Sequence, residues 1–286
     1  MTCDLHTHSI YSDGTWTPEE LIDGAIGAGL SAIALTDHNT VDGLPRFISA
    51  ASGKNIEIVT GTEFSIDYNG KELHILGLFI TPEHFSKVSD MMAIIHRRKE
   101  KHNRALIDAL RADGYDIDYE TLASSTPSGR INRAHVACAL VEKGYAESIK
   151  DAFYKVLLPS AGYYRTPQMF TAREIIDFIR SIGAVPVWAH PFLSLSEAEV
   201  IEFLSETDGL CGMECYYSTY DDETTSKALD IAERFGLLPS GGSDFHGARK
   251  PTIALGIGKG TLEVPYEWYL ALKEKAEMIR ELLQDE

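Results

Sequence analysis

The feature that most constrains the fold is an alternation of short apolar runs and capped amphipathic helices, with most runs ending on histidine or an acid. Residues 2–8 read as a first strand ending in Asp4-Leu5-His6-Thr7-His8. Thr17-Pro18-Glu19-Glu20 then opens a helix as a capping box with Pro at its first position, and Leu21, Ile22, Ala25 and Ile26 form its apolar stripe. Ser31–Leu35 is a second strand ending in Thr36-Asp37-His38, followed by a helix over Val41–Ala51. Ile56–Thr60 is a third strand, ending in Gly61-Thr62-Glu63. After a gap the pattern resumes. A helix capped by Thr171 and Glu174 runs to Ile182, the strand Ala184–Ala189 ends in His190-Pro191, and a helix starts at Ser196. The strand Gly212–Tyr216, a helix over Thr224–Phe235, the segment Gly241-Gly242-Ser243-Asp244-Phe245-His246 and a helix over Tyr266–Leu283 complete the chain. Strand–helix units repeated around one set of polar strand ends predict a (β/α) barrel.

Two stretches depart from this alternation. Phe64–Tyr68, Asn69-Gly70 and Lys71–Phe79 read as a hairpin with a type I′ turn. With Tyr68 facing Lys71, Glu63 faces Leu76, and His74 falls on the same face as Glu63 at diagonal range. From 82 to 166 the signal is helical: a long helix from about Phe85 to Ala112, then shorter ones near Ala134–Lys143 and Ile149–Leu157. The chain therefore divides into a barrel, 1–81 with 167–286, and a helical insertion, 82–166, expected to act as a lid over substrate. The run His96–His102 reads as a solvated face, and His84 as a surface residue.

A chain of 286 residues with 44% hydrophobic and 24% charged residues can bury a large core. Its formal net charge of −17 argues against a long nucleic acid partner, although a small anion remains compatible through local positive charge. The cysteines, Cys3, Cys138, Cys211 and Cys215, lack zinc-ribbon spacing and suggest a reduced, cytoplasmic protein. No apolar run approaches the ~18 residues of a membrane span.

The chemistry lies at the strand ends. Residues two apart on a strand point to one side, so His6 and His8 aim two imidazoles at one point, and Asp13 can bring a carboxylate to it. His38, Glu63, His190, Asp244 and His246 sit at corresponding strand ends, and the hairpin adds His74. Together these are six of the ten histidines with three carboxylates. Nine donors exceed the needs of one ion, so two or three divalent ions are expected. A thiolate-free set suits Zn²⁺, Mn²⁺ or Fe²⁺. Asp37 either orients a ligand or shapes its turn.

Asp4-Leu5-His6-Thr7-His8, Ser12-Asp13-Gly14, Thr36-Asp37-His38, Gly61-Thr62-Glu63, Ala189-His190-Pro191 and Gly242-Ser243-Asp244-Phe245-His246 resemble the motifs of the PHP (polymerase and histidinol phosphatase) family. More narrowly, the chain resembles its nucleotide-acting phosphoesterases with a helical insertion. The resemblance implies a distorted (β/α)7 barrel and a trinuclear metal site. By position, His6, His8, Glu63 and Asp244 would hold one ion. Glu63 would bridge to a second with His74 and His190, and Asp13, His38 and His246 would hold the third. Such a site lowers the pKa of bound water and neutralises phosphate charge in the transition state. His190 or Asp244 would pass a proton to the leaving alkoxide.

Ser128, Asn132, Arg133 and His135, near a helix start, are the expected substrate contacts, because Arg binds phosphate bidentately and helix N-termini favour anions. The nucleotide-acting relatives commonly read Arg-Pro-His where this chain has Arg133-Ala134-His135. Tyr216 and Tyr217 suit packing, or stacking on a base. The expected activity is hydrolysis of a small phosphorylated metabolite, foremost a nucleotide: a 5′-monophosphate, a 3′,5′-bisphosphate or a cyclic phosphate diester. The alternatives are a 5′-to-3′ exonuclease on short RNA, a histidinol-phosphate phosphatase, a metal-dependent deaminase or amidohydrolase, and a metal-stabilised module without turnover. The oligomeric state is left open.

Overall fold

The computed structural model describes residues 1–126, 131–164 and 169–284. The chain forms two compact units, one of residues 1–90 with 170–286 and one of residues 91–169.

The first unit is a distorted (β/α)7 barrel. Strands β1 (Thr2–Asp4), β2 (Ala32–Leu35) and β3 (Glu57–Tyr68) pair in parallel, separated by helices α1 (Pro18–Gly27) and α2 (Leu44–Ala51). β3 then turns through Asn69-Gly70 into antiparallel β4 (Lys71–Leu78) with Tyr68 opposite Lys71 and Glu63 opposite Leu76, the register expected from the two-residue loop. Helix α3 (Phe85–Ala112) leads into the second unit, which carries α4 (Tyr119–Ser124), α5 (Arg133–Glu142) and α6 (Ile149–Ala152), the last continuing as a wider turn over Phe153–Leu157. The barrel resumes with α7 (Ala172–Ser181), β5 (Val185–Trp188), α8 (Glu197–Glu206), β6 (Gly212–Tyr217), α9 (Asp222–Arg234) and β7 (Leu238–Gly242). A two-residue strand, β8 (Val264–Pro265), pairs antiparallel with β1, and α10 (Tyr266–Gln284) ends the chain.

The sheet order is β7-β6-β5-β4-β3-β2-β1-β8. The barrel closes because the end of β7 returns to the segment after β1. Leu5 N–H donates to Gly241 O, His8 N–H to Phe245 O and Asp244 N–H to His6 O, at 3.1, 3.0 and 2.8 Å. Only glycine fits at 242, since a Cβ there would lie 2.4 Å from His6 Cβ. Inside the barrel, Leu5, Ala34, Val59, Leu76, Val187 and Val264 pack with Tyr269, Leu272 and Ile279 of α10, all buried. The second unit has its own core, including Leu106, Leu110, Val136, Leu140 and Leu157.

Four local differences from the sequence expectations have physical causes. The third strand and the first arm of the hairpin are one strand, because β3 pairs with β2 through Thr60 and with β4 from Gly61 onward. The first strand's ladder stops at Asp4, and the chain beyond it bonds to the β7 end instead. Helix α2 begins at Leu44 rather than Val41, which puts Pro45 in the first turn where a missing N–H costs nothing. Helix α4 is an addition, started by Asp118, whose carboxylate accepts from Thr121 N–H.

Candidate metal centre

All nine candidate donors come together. Glu63 is at the middle. Its Oε1 lies 2.8 Å from His74 Nδ1 and 2.9 Å from His190 Nε2. Its Oε2 lies 3.2 Å from the Nε2 of both His6 and His8, and 3.0 Å from His38 Nδ1. Asp244 Oδ1 lies 3.1 Å from His8 Nε2 and 3.3 Å from His246 Nδ1. Asp13 Oδ1 lies 3.2 Å from His246 Nε2 and 3.8 Å from His38 Nε2. The donor atoms fall into four overlapping groups: His8, Asp13, His38 and His246; His6, His8 and Asp244; His6, Glu63 and His190; and His38, Glu63 and His74.

Several observations show that this set fits divalent cations. The Nε2 atoms of His6 and His8 are 3.0 Å apart, a separation that calls for a shared proton or a metal cation between them. Buried His8 Nδ1 and Glu63 Oε2 have no aligned hydrogen-bond partner. The electrostatics agree. Burial opposes protonation of His6, but the carboxylates of Glu214, Glu63 and Asp244 outweigh it and raise the His6 pKa well above its ordinary value. His74 is likewise pushed up to about 10: burial lowers its pKa, and Glu63 more than offsets this. Glu63 is held well below the carboxylate range, since His38, His74 and His6 overcome its burial. Such a cluster of anions demands cations, and bound metal ions would supply them.

Supporting residues complete the geometry. Glu214, fully buried on β6, places Oε1 2.9 Å from His6 Nδ1 and accepts the His190 N–H at Oε2, 2.7 Å. The first contact puts the His6 proton on Nδ1 and leaves Nε2 for a metal. The second holds His190 at a left-handed φ of 31°, a conformation that non-glycine residues adopt only when held. Asp244, also left-handed at φ 53°, receives the Tyr217 hydroxyl on Oδ2 at 2.7 Å and Lys250 Nζ at 2.5 Å. Asp37 accepts Ser9 N–H, Ser9 Oγ–H and Ser12 Oγ–H at 2.6–2.7 Å, which shapes the loop carrying Asp13. Buried Asp4 accepts Ser243 N–H, Ser243 Oγ–H and Gly256 N–H, pinning the motif that holds Asp244.

Sequence reasoning missed Glu214, Tyr217 as an Asp244 partner, and Lys250. The available signal for Glu214 was a lone acid inside the apolar strand Gly212–Tyr217. The expected substrate contacts belong to the second unit. Asn132 and His135 cap α5 reciprocally, Asn132 Oδ1 accepting His135 N–H and His135 Nδ1 accepting Asn132 N–H. The Arg133 guanidinium lies over Tyr164, 4.3 Å from the ring centroid. Ser128 lies outside the described residues.

A histidine-rich cluster of donors at the mouth of an α/β barrel is the kind of site a metal-dependent hydrolase uses. The sequence matches the PHP domain over residues 4–164, and the chain belongs to that family. It is 31% identical over 250 residues to the 3′,5′-nucleoside bisphosphate phosphatase of Chromobacterium violaceum, covering 85% of this chain and 86% of the relative. It is equally 31% identical over 251 residues to the 5′-3′ exoribonuclease Rnm of Salmonella typhimurium, covering 85% and 84%. A crystal structure from Bifidobacterium adolescentis, described as a metal-dependent phosphoesterase, superposes with a TM-score of 0.77 at 26% identity over 96% of both chains. The chain is a metal-dependent phosphoric ester hydrolase. Among the described residues, no helix is long and apolar enough to cross a membrane.

Proposed function

We propose that the substrate is a small phosphorylated metabolite, and specifically a nucleotide carrying a 5′-monophosphate, a 3′,5′-bisphosphate or a cyclic phosphate diester. The observation that carries the hydrolytic part is Glu63, whose two oxygens face five imidazoles. The nucleotide part rests on the long similarity to a nucleoside bisphosphate phosphatase. The four free cysteines favour a reducing, cytoplasmic setting.

In this reading two to three ions of Mn, Zn or Fe would be held by His6, His8, Glu63 and Asp244, by Glu63, His74 and His190, and by Asp13, His38 and His246. When bound, the ions supply Lewis acidity and lower the pKa of water. The chain's own residues do the rest. Glu214 fixes the His6 tautomer and the His190 backbone. Tyr217 turns Asp244 so that Oδ1 faces the imidazoles. In this reading His190 or Asp244 would pass a proton to the leaving alkoxide, Asp244 only after first accepting one, since, despite its burial, the imidazoles of His6 and His8 hold its carboxyl well below the usual carboxylate range.

A second reading, 5′-to-3′ cleavage of short RNA, is favoured by the equal identity to an exoribonuclease. The charge of −17 weighs against it. One panel separates the two: phosphate release by the Mn²⁺-loaded protein from 5′-monophosphates, 3′,5′-bisphosphates, cyclic diesters, histidinol phosphate and a 5′-phosphorylated short RNA. The nucleotide reading expects one mononucleotide to be preferred by orders of magnitude in kcat/KM. Comparable turnover of the RNA would replace it with the exonuclease.

A further inference from the structure

An arriving phosphate ester meets a protein of net charge −17, so positive charge reaching from the metal centre toward solvent would favour its capture. Of the nine candidate donors, Asp244 is the one paired with a lysine or arginine among the described residues, and that residue is Lys250. Its Nζ lies 2.5 Å from Asp244 Oδ2. The Lys250 side chain is 40% exposed and that of Asp244 6%, so this lysine carries positive charge from the wall of the centre out to solvent.

The pair is built so that the lysine can leave. Asp244 Oδ2 also accepts the Tyr217 hydroxyl at 2.7 Å, so departure of the ammonium does not strand a buried oxygen. Oδ1 meanwhile keeps its place beside His8 and His246. The backbone around Lys250 is fixed. Gly247, at φ 62°, sits against Thr15, Ala248 N–H donates to Thr15 Oγ1 at 2.9 Å, and Ile253 N–H donates to Lys250 O at 2.9 Å. A four-carbon stem on a fixed backbone gives the ammonium reach, and its three donors suit phosphate oxygens.

We propose that Lys250 is a phosphate-binding residue of this site, exchanging Asp244 Oδ2 for a substrate phosphate oxygen while Tyr217 keeps Asp244 in place. The proposal concerns the phosphate whatever alcohol it esterifies, so it stands or falls separately from the nucleotide reading.

The test uses Lys250→Met and Lys250→Arg, reconstituted with Mn²⁺ beside the wild type. Inorganic phosphate binding is measured by calorimetry, bound metal by elemental analysis, and KM and kcat on whichever phosphomonoester turns over. Lys250→Met is expected to weaken orthophosphate binding and raise KM by about tenfold, with metal content unchanged and kcat within threefold. Lys250→Arg is expected to recover most of the binding. Unchanged orthophosphate affinity in Lys250→Met would overturn the proposal. So would loss of metal or of the fold in that variant, which would assign Lys250 to holding Asp244.

Discussion

The rim of the barrel and the start of α5 hold the same kinds of side chain and use them differently. At the rim, His6, His8, His38, Glu63, His74, His190, Asp244 and His246 come from segments far apart in sequence, some at strand ends and some within the β3–β4 hairpin, and converge with donor atoms about 3 Å apart. At α5, Asn132 and His135 satisfy each other's backbone N–H groups, and Arg133 lies over Tyr164. Polar residues close together in sequence at a helix start have a local purpose in capping. Polar residues far apart in sequence that meet in space have none, and the unbonded Glu63 Oε2 and His8 Nδ1 show that their needs are not met within the protein.

That contrast sets the order of expected effects. Glu63→Gln should be the most damaging. With one oxygen turned into an amide it can no longer serve both sets of imidazoles, and kcat should fall by about 10³-fold or more, about 4 kcal/mol of transition-state stabilisation, with reduced bound metal. A fall of less than tenfold would remove Glu63 from the centre of the account. Glu214→Gln comes next. Glutamine offers one acceptor oxygen where the His6 Nδ1–H and the His190 N–H need two, so metal affinity should drop roughly 10- to 100-fold in a chelator competition. Unaltered affinity would make Glu214 a packing residue.

The smallest effects belong to α5 and probe the contrast from the other side. Asn132→Ala should lower the helical unit's stability by about 1 kcal/mol in thermal unfolding. Arg133→Ala tests the substrate contact expected in this segment from the sequence, and should raise KM several-fold with kcat preserved. If KM does not move, the segment's residues act only in capping and stacking.

The hairpin shows what could be read in advance. Asn69-Gly70 sets a two-residue loop, the loop sets the register, and the register puts Glu63 opposite Leu76 with His74 at the diagonal. The strand-end histidines were legible for a similar reason, since alternation along a strand needs no tertiary information. The supporting groups needed barrel closure. Asp4 meets Ser243 and Gly256, and Glu214 meets His6, only because β7 returns to the segment after β1. Lys250 carried no signal in the sequence either, because an exposed lysine after a turn is ordinary until its distance to Asp244 is known. The merger of two expected strands into β3 was hidden by Gly61, which reads as a break and instead lies where β3 begins its pairing with β4.

The most direct test of the metal centre is a titration. Metal-free protein would be given Mn²⁺ in steps while bound metal is counted and phosphate release from a responsive substrate is followed. The account predicts no turnover without metal, and recovery as two or more equivalents bind per chain. Full turnover by the metal-free protein, or full activity at less than one bound equivalent, would contradict it.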